Sequence, residues 1–515
     1  MPTRIPPSRG RRPAPVTIDA PAANQSVTGV VVLKGRLSQH KTVTAVDVAY
    51  DSAAYRPATW RPGGKTWRTL FNTVAIGTGA HVLRVRVTYA DASTDVSSTP
   101  VTVGSSTMRS GVSALKLGSG FPGLATNKDK YATFQINEGD AGALADVITR
   151  GTLALTWMYG TTVQKANPDG HSLGVSYNEC VAKGWIQKTA GNADVEYPGD
   201  PNQIFVKFGD PNYIARVVDR FVNDPNTIAD DHGAFLQGVF AANAGISGAM
   251  CDDTNASASA SGTTPSATYP SSVAWRDAMF DFLKGVGTGL QDAGYAFGCN
   301  PNSSSNEFVS ASSGPKYSWG AWGQAHDGDQ LGHWLQAMAP YVDVAMVEYW
   351  MAGGSGAGYR DSVKVLGASA NQAYREYQTN VMPRTNAAGM CLLCNLQVGM
   401  TADNGSDDTN LSSAYNQARM IYLRASFLLN YDPTTGTSAD LSVPPGGYSS
   451  LTDPWNASWT KDMGLPLGAM TEPVSGGFLR RFANGDVFLN ANGGSSVTFP
   501  APDNLLVAAK TAVIT

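Results

Sequence analysis

The stretch ISGAMCDDT, residues 246–254, decides how the chain is read. Its apolar run ends abruptly in Asp252 and Asp253, so a short buried strand delivers carboxylates to its own C-terminal end. VDVAMVEYW, residues 342–350, is built the same way and ends in Glu348, Tyr349 and Trp350. Strand alternation puts Gly248, Met250 and Asp252 on one face, and Val344, Met346 and Glu348 on one face. Outward from these two, YATFQIN (131–137), LALTWMYG (153–160), GWIQKT (184–189), YAFGCNPN (295–302), MCLLCNLQ (390–397) and RASFLLNYD (424–432) read as further strands. Amphipathic stretches such as PNYIARVVDRFVND and WRDAMFDFLKGVGTGLQDAG lie between them, which is the pattern of a parallel sheet. Eight such units predict an α/β fold, a (β/α)8 TIM barrel. A doubly wound open sheet is the alternative, but no Gly-rich turn follows the first strand as a dinucleotide site would require.

The flanks have a different texture. Residues 15–104 carry short alternating runs (VTGVVVLKGRL, TVTAVDVAY, HVLRVRVTYA) between Gly, Asn, Asp and Pro clusters, which predicts an N-terminal β-sandwich. Residues 1–14 form a basic, Pro-rich arm without an apolar segment behind it, unlike a secretory signal. VGSSTMRSG (103–111) is the expected linker to a barrel domain over 112–469. An Asn-Gly-Asp turn between two β runs predicts a small C-terminal β appendage over 470–515.

Composition bounds the function. With 515 residues, 42% hydrophobic and 15% charged, the chain can bury a large core and is not a disordered polymer. A net charge of −4 argues against a general nucleic-acid binder, and no apolar run is long enough to cross a membrane. Charge is uneven: residues 1–104 carry 13 basic and 5 acidic side chains, and the remainder is acidic. The cysteines (180, 251, 299, 391 and 394) do not form a disulfide framework. Cys391 and Cys394 lie three apart in a strand, on opposite faces, and read as buried small hydrophobes, not as zinc ligands.

In a barrel the chemistry sits where strands end. The expected ends supply Trp157 and Tyr159, Asp252 and Asp253, Asn300, Glu348 with Tyr349 and Trp350, Asn395 and Gln397, and Asp432. Amides bond sugar hydroxyls and aromatic faces stack on sugar rings. Asp252 and Glu348 are the candidate catalytic pair; the others are candidate substrate contacts. A strand-end acid also serves simply to cap its strand or bind loop amides, so the pair carries more than either acid alone. Polar residues 254–273 and Gly-rich 352–360 follow the two acids, where lids are built. HDGDQLGH (326–333) fits no zinc spacing. DNGSDDTN (403–410) resembles an oxygen-rich Ca2+ loop but lacks the closing Glu of an EF-hand, which leaves a structural calcium ion there as an open alternative. No other metal site and no cofactor is expected.

GAMCDDT, VDVAMVEYW and the closing run ARMIYLRASFLLNYD…WTKDMGLPLG…FLRRFANGDVFLNAN resemble hypothetical glycosyl hydrolase-like families with a TIM-barrel fold. The 15–104 stretch resembles bacterial immunoglobulin-like modules. The first resemblance covers roughly 112–495 and implies a glycan hydrolase with Asp252 and Glu348 as its acid–base or nucleophile pair. It departs from the family pattern at Ser247-Gly248, where an Asp-Gly opening is usual, and this leaves the stereochemistry open. Asp252, beside polar loop residues, suits the nucleophile or base; Glu348, flanked by aromatics, suits the acid, and the reverse assignment stays open. A separation of about 5–5.5 Å between the acids would mean retention, and about 6.5–9.5 Å inversion. The expected partner is a polysaccharide, with other virion tail proteins reached through the arm and sandwich, in a virion tail or extracellular setting. The alternative is a non-catalytic carbohydrate-binding or structural tail protein on the same scaffold.

Overall fold

The structure is a computed structural model and describes residues 15–38, 41–61, 63–116, 134–137, 151–169, 174–222, 246–256, 258, 263, 266–301, 327–347, 381–397, 414–442, 460–492, 494–509 and 511–515. The N-terminal part forms two β-sheets. Strands Gln25–Val27, Thr94–Val103, Gly79–Tyr89, Val43–Tyr50 and Arg56–Pro57 make one; Val30–Arg36, Thr66–Asn72 and Thr59–Trp60 make the other. Alternation along Gly79–Tyr89 buries Leu83, Val85 and Val87, which join Val46, Val48, Trp67, Phe71 and Val101 in a shared core. The buried Trp67 donates its indole N–H to the Thr17 carbonyl at 3.0 Å, whereas Trp60 is half-buried.

The rest is built on a curled sheet of eight parallel strands. They are β1 (Ala114–Lys116), β2 (Phe134–Asn137), β3 (Leu153–Met158), β4 (Gly248–Cys251), β5 (Ala296–Cys299), β6 (Val344–Val347), β7 (Cys391–Gln397) and β8 (Ser438–Ser442), side by side in chain order. The first and last strands approach each other. The Ser113 N–H donates to the Ala439 carbonyl at 2.9 Å, and the Ala439 N–H donates to the Gly111 carbonyl at 3.1 Å. Six helices are present among the described residues: α1 (Tyr177–Ala182), α2 (Pro211–Val222), α3 (Ser272–Asp292), α4 (Asp327–Met338), α5 (Met382–Ala387) and α6 (Ala414–Leu428).

Strand alternation divides the core into two layers. Leu153, Leu155, Trp157, Met250, Ala296, Val344, Met346, Cys391 and Leu393 pack together inside the curl. Met158, Cys251, Phe297, Cys299, Ala345, Leu392 and Cys394 point the other way, against Trp275, Leu283 and Val286 of α3, Leu335 of α4 and Phe427 of α6. Both faces of a parallel sheet are thereby dry, which its near-continuous apolar strands require. Cys391 and Cys394 fall in different layers, as the sequence reading had them.

The N-terminal sheets close the inner layer from below. Val30 and Leu70 belong to the same cluster as Leu153, Ala296 and Val344, which lie at or near strand starts. The backbones touch there. The Val30 N–H donates to the Gly151 carbonyl at 2.7 Å. Gly29 has φ +75, and a Cβ on it would sit 2.1 Å from the Gly151 oxygen, so only glycine fits. Arginines reinforce this seam. Arg56 bonds the Leu70 and Thr434 carbonyls at 2.8 and 3.1 Å. Arg61 bonds Asp292 and Gln291, both at 2.9 Å. The Arg68 guanidinium lies 2.8 Å from the Asp343 carboxylate, with the two side chains only 10% and 2% exposed. The other Asp343 oxygen accepts the Phe297 N–H at 2.9 Å, just before β6 begins.

Two of the eight expected strands are corrected. GWIQKT is not in the parallel sheet: Ile186 and Lys188 make antiparallel bridges to Val206 and Asp194, beside a small sheet of Thr162–Gln164, Asp200–Phe205 and Glu196–Tyr197. Alternation does not reveal which sheet a strand joins. RASFLLNYD is the end of α6 and the turn after it. Its residues are buried nearly all round, and that hides the helical period. The strands actually present, β1 and β8, are short and, in β8, polar. The chain ends in an antiparallel sheet (Thr471–Val474, Gly477–Phe482, Gly485–Asn490, Thr511–Ile514), pinned to the end of α6 and the turn after it by Arg480, which bonds the Leu428 and Tyr431 carbonyls at 2.8 and 2.6 Å.

Replacing Arg68 with Met strands a buried carboxylate and should lower unfolding stability by about 3–5 kcal/mol, with Arg68→Met/Asp343→Asn recovering part of it. Urea denaturation midpoints check this; a loss below about 1 kcal/mol would mean that the pair behaves as a surface pair. Leu70→Ala should cost about 2–5 kcal/mol, because it empties the floor of the inner layer.

Candidate active site at the strand ends

Asp252 follows directly on β4. Its backbone N–H donates to the Met158 carbonyl at the end of β3, 2.8 Å away. The Asn300 N–H donates to the Cys251 carbonyl at 2.8 Å, and the Thr254 N–H to the Asn300 carbonyl at 3.1 Å. The ends of β3, β4 and β5 are thus stitched together by main chain, and a side chain placed there has a fixed base. Met250, two residues before Asp252, lies in the inner layer, and Trp157 pairs with it across the β3–β4 register.

The Asp252 carboxylate is held from two directions. Its Oδ1 accepts the Asn300 side-chain N–H at 2.7 Å and the Asp253 backbone N–H at 2.8 Å. Asp253 has φ +50, a left-handed conformation that Asp tolerates better than most residues. That turn redirects the chain away from the strand and brings the Asp253 N–H back onto its neighbour's carboxylate. Asn300 is buried, at 2% exposed, and one of its amide hydrogens goes to Asp252. The sequence suggested Asn300 as a sugar contact; its role as Asp252's partner needed the knowledge that β4 and β5 are neighbours.

The thiols beside these residues are chemically quiet. Cys251 and Cys299 are directly paired across β4 and β5. Burial pushes the Cys251 thiol well above its ordinary value and Cys299 up to about 12, so neither offers a thiolate at neutral pH.

The other expected residues divide three ways. Trp157 and Tyr159 run off β3 towards the same end, Trp157 fully buried and Tyr159 half-buried against the inner layer. Asn395 and Gln397 occupy the C-terminal half of β7, paired with Asp440 and Ser442 of β8. Glu348, Tyr349 and Trp350 lie outside the described residues, as do segment 352–360 and DNGSDDTN at 403–410. Asp432 is a correction. Because β8 is Ser438–Ser442, Asp432 precedes the strand instead of ending one; its Oδ1 caps the Thr434 N–H at 2.9 Å. Thr434 itself accepts the Asn72 N–H from the N-terminal sheets at 3.0 Å, so Asp432 is at the opposite end from Asp252.

The segment after Asp253 also differs from expectation. Ala256, Ala258 and Tyr269 are buried in the outer layer, and Ser266 donates to the Gln187 side chain at 2.9 Å. Small Ala and Ser side chains, which read as low complexity in sequence, let this stretch pack closely. Among the described residues of HDGDQLGH, 327–333 are helical, and no group of three or more metal-ligating side chains occurs among the described residues.

Among solved structures, a cycloalternan-degrading enzyme from Trueperella pyogenes in complex with isomaltose is 9% identical, with 95% of this chain and 94% of that one covered and a TM-score of 0.33. A Bacteroides ovatus GH5 xyloglucanase in complex with a heptasaccharide is 8% identical over 86% of this chain and 98% of that one, at a TM-score of 0.28. The endo-beta-1,4-mannanase from Thermotoga petrophila is 13% identical at a TM-score of 0.16; the match covers 17% of this chain and spans only 19% of the mannanase. A search of curated proteins returns no match. A family model described as hypothetical glycosyl hydrolase family 15 matches residues 226–486, just over half of the chain, and the span runs from before β4 to the C-terminal sheet. This chain belongs to hypothetical glycosyl hydrolase family 15.

Proposed function

We propose that this protein hydrolyses glycosidic bonds in a cell-surface or extracellular polysaccharide, at the end of the sheet that carries Asp252. The reading takes the eight parallel strands as a (β/α)8 barrel behind an immunoglobulin-like module. The hydrogen bonds of Ala439 with Gly111 and Ser113 support that closure. The observation that carries the chemistry is the Asp252 carboxylate, fixed at a strand end with two N–H donors on one oxygen. Such donors favour the ionised carboxylate over the neutral acid. Asp252 then takes the part of base or nucleophile, and Glu348, two positions beyond Met346 in the alternation of the sequence, takes that of general acid. The acid gives its proton to the glycosidic oxygen as the bond to the anomeric carbon breaks. Asp252 either attacks that carbon or removes a proton from the attacking water. Tyr159, Asn395 and Gln397 would line the sugar path.

The setting proposed is a virion tail or the extracellular space, on the basic Pro-rich arm at 1–14. Immunogold labelling of intact virions with an antibody to the N-terminal sheets separates the two, and unlabelled tails would remove the virion setting and leave the extracellular one.

The test of the activity incubates wild type, Asp252→Asn and Glu348→Gln with a panel of cell-surface glycans and measures new reducing ends. Wild type should release them, and each variant should fall by at least about a thousandfold. Release by Asp252→Asn at the wild-type rate would overturn the reading; glycan binding with no release by any of the three would favour a non-catalytic binding protein. Asn300→Ala should lower kcat by about a hundredfold with little change in KM, since it frees Asp252 from its fixed position without removing it.

A further inference from the structure

Trp157 is 1% exposed, and its indole N–H has no hydrogen-bond partner. Two other buried tryptophans donate to main chain: Trp67 to the Thr17 carbonyl at 3.0 Å, and Trp275 to the Asn255 carbonyl at 2.9 Å. An unmade hydrogen bond of this kind costs about 1–3 kcal/mol, and each such orphan in a well-packed interior calls for a reason. Its place supplies one. Trp157 is the last inward residue of β3, directly beside Met250 in the register, and Met250 is two residues short of Asp252. The Met158 carbonyl, one residue further on, takes the Asp252 N–H at 2.8 Å. The unsatisfied donor therefore lies one layer beneath the carboxylate, at the top of a core that is otherwise apolar.

We propose that Trp157 is the floor of the sugar subsite at Asp252, and that its N–H donates to an oxygen of the ring bound there. This rests on the glycan-hydrolase reading and deepens it. The indole N–H can only donate, so its partner must be an acceptor such as a hydroxyl or ring oxygen. The bound unit is then a neutral sugar with an oxygen directed down into the sheet, which suits the uncharged residues Leu155, Met250 and Met346 that share Trp157's layer among the described residues. A site that reads a hydroxyl in this way discriminates sharply against a sugar deoxygenated at that position.

Two readouts test it. Trp157→Phe keeps a ring and removes the donor; on the polymer that wild type cleaves, kcat/KM should fall by at least about tenfold while the melting temperature stays close to wild type. In 15N-labelled wild type, the indole cross-peak missing from Trp157→Phe should move downfield when the oligosaccharides released by the enzyme are added. Should Trp157→Phe not fold, Trp157→Leu assigns the peak. Activity within about twofold of wild type in Trp157→Phe, or a Trp157 cross-peak that stays in place with product bound, would overturn the inference and leave the hydrolase reading standing. A wild type that cleaves nothing and whose Trp157 signal ignores every glycan of the panel would overturn both.

Discussion

A parallel sheet with apolar side chains on both faces has to be covered on both, and in this protein three different parts of the chain share that task. The helices that follow the strands cover the outer face. The strands' own inward residues fill the curl, from Leu153 and Val344 up to Trp157 and Met346. Val30 and Leu70, from sheets built much earlier in the chain, cover the end where the strands start. Asp252 stands at the other end, directly after the last residue of β4.

The seam beneath the sheet shows how polar groups enter such an arrangement. Arg56, Arg61 and Arg68 come from the basic N-terminal part, and Asp292 and Asp343 from the acidic remainder. The uneven charge of the sequence is partly spent here. Buried ion pairs contribute little net stability once desolvation is counted, but leaving one partner alone is costly. The pair of Arg68 and Asp343 therefore disfavours any other seating of the two parts more than it strengthens the observed one. The orphaned Trp157 N–H at the other end follows the same accounting with the opposite sign, a buried group whose missing partner is expected from outside.

Much of this was legible beforehand. Six of the eight parallel strands fall within stretches that read as strands in the sequence, and alternation along one of them places Asp252 on the same face as Met250. The remaining two strands were not legible for physical reasons. Ala114–Lys116 is too short to show a period, and Ser438–Ser442 (SADLS) is largely polar and offers no apolar run from which its backbone pairing with β7 could be read. The apolar run of α6 looked like a strand because nearly every side of it is buried. That single error carried Asp432 to the wrong end of the sheet. For Asn300, the residue type and strand-end location were visible, while its hydrogen bond to Asp252 depends on which strands are neighbours, and a one-dimensional pattern does not contain that.

The backbone contact between Gly29 and Gly151 has a geometric consequence. With a turn of each part pressed directly against the other and no room for even a methyl group, the N-terminal sheets cannot swing beneath the larger part as a tether would. They act as a mount. The seating of the two parts on one another is thus set by two glycines that lie at the opposite end of the strands from Asp252.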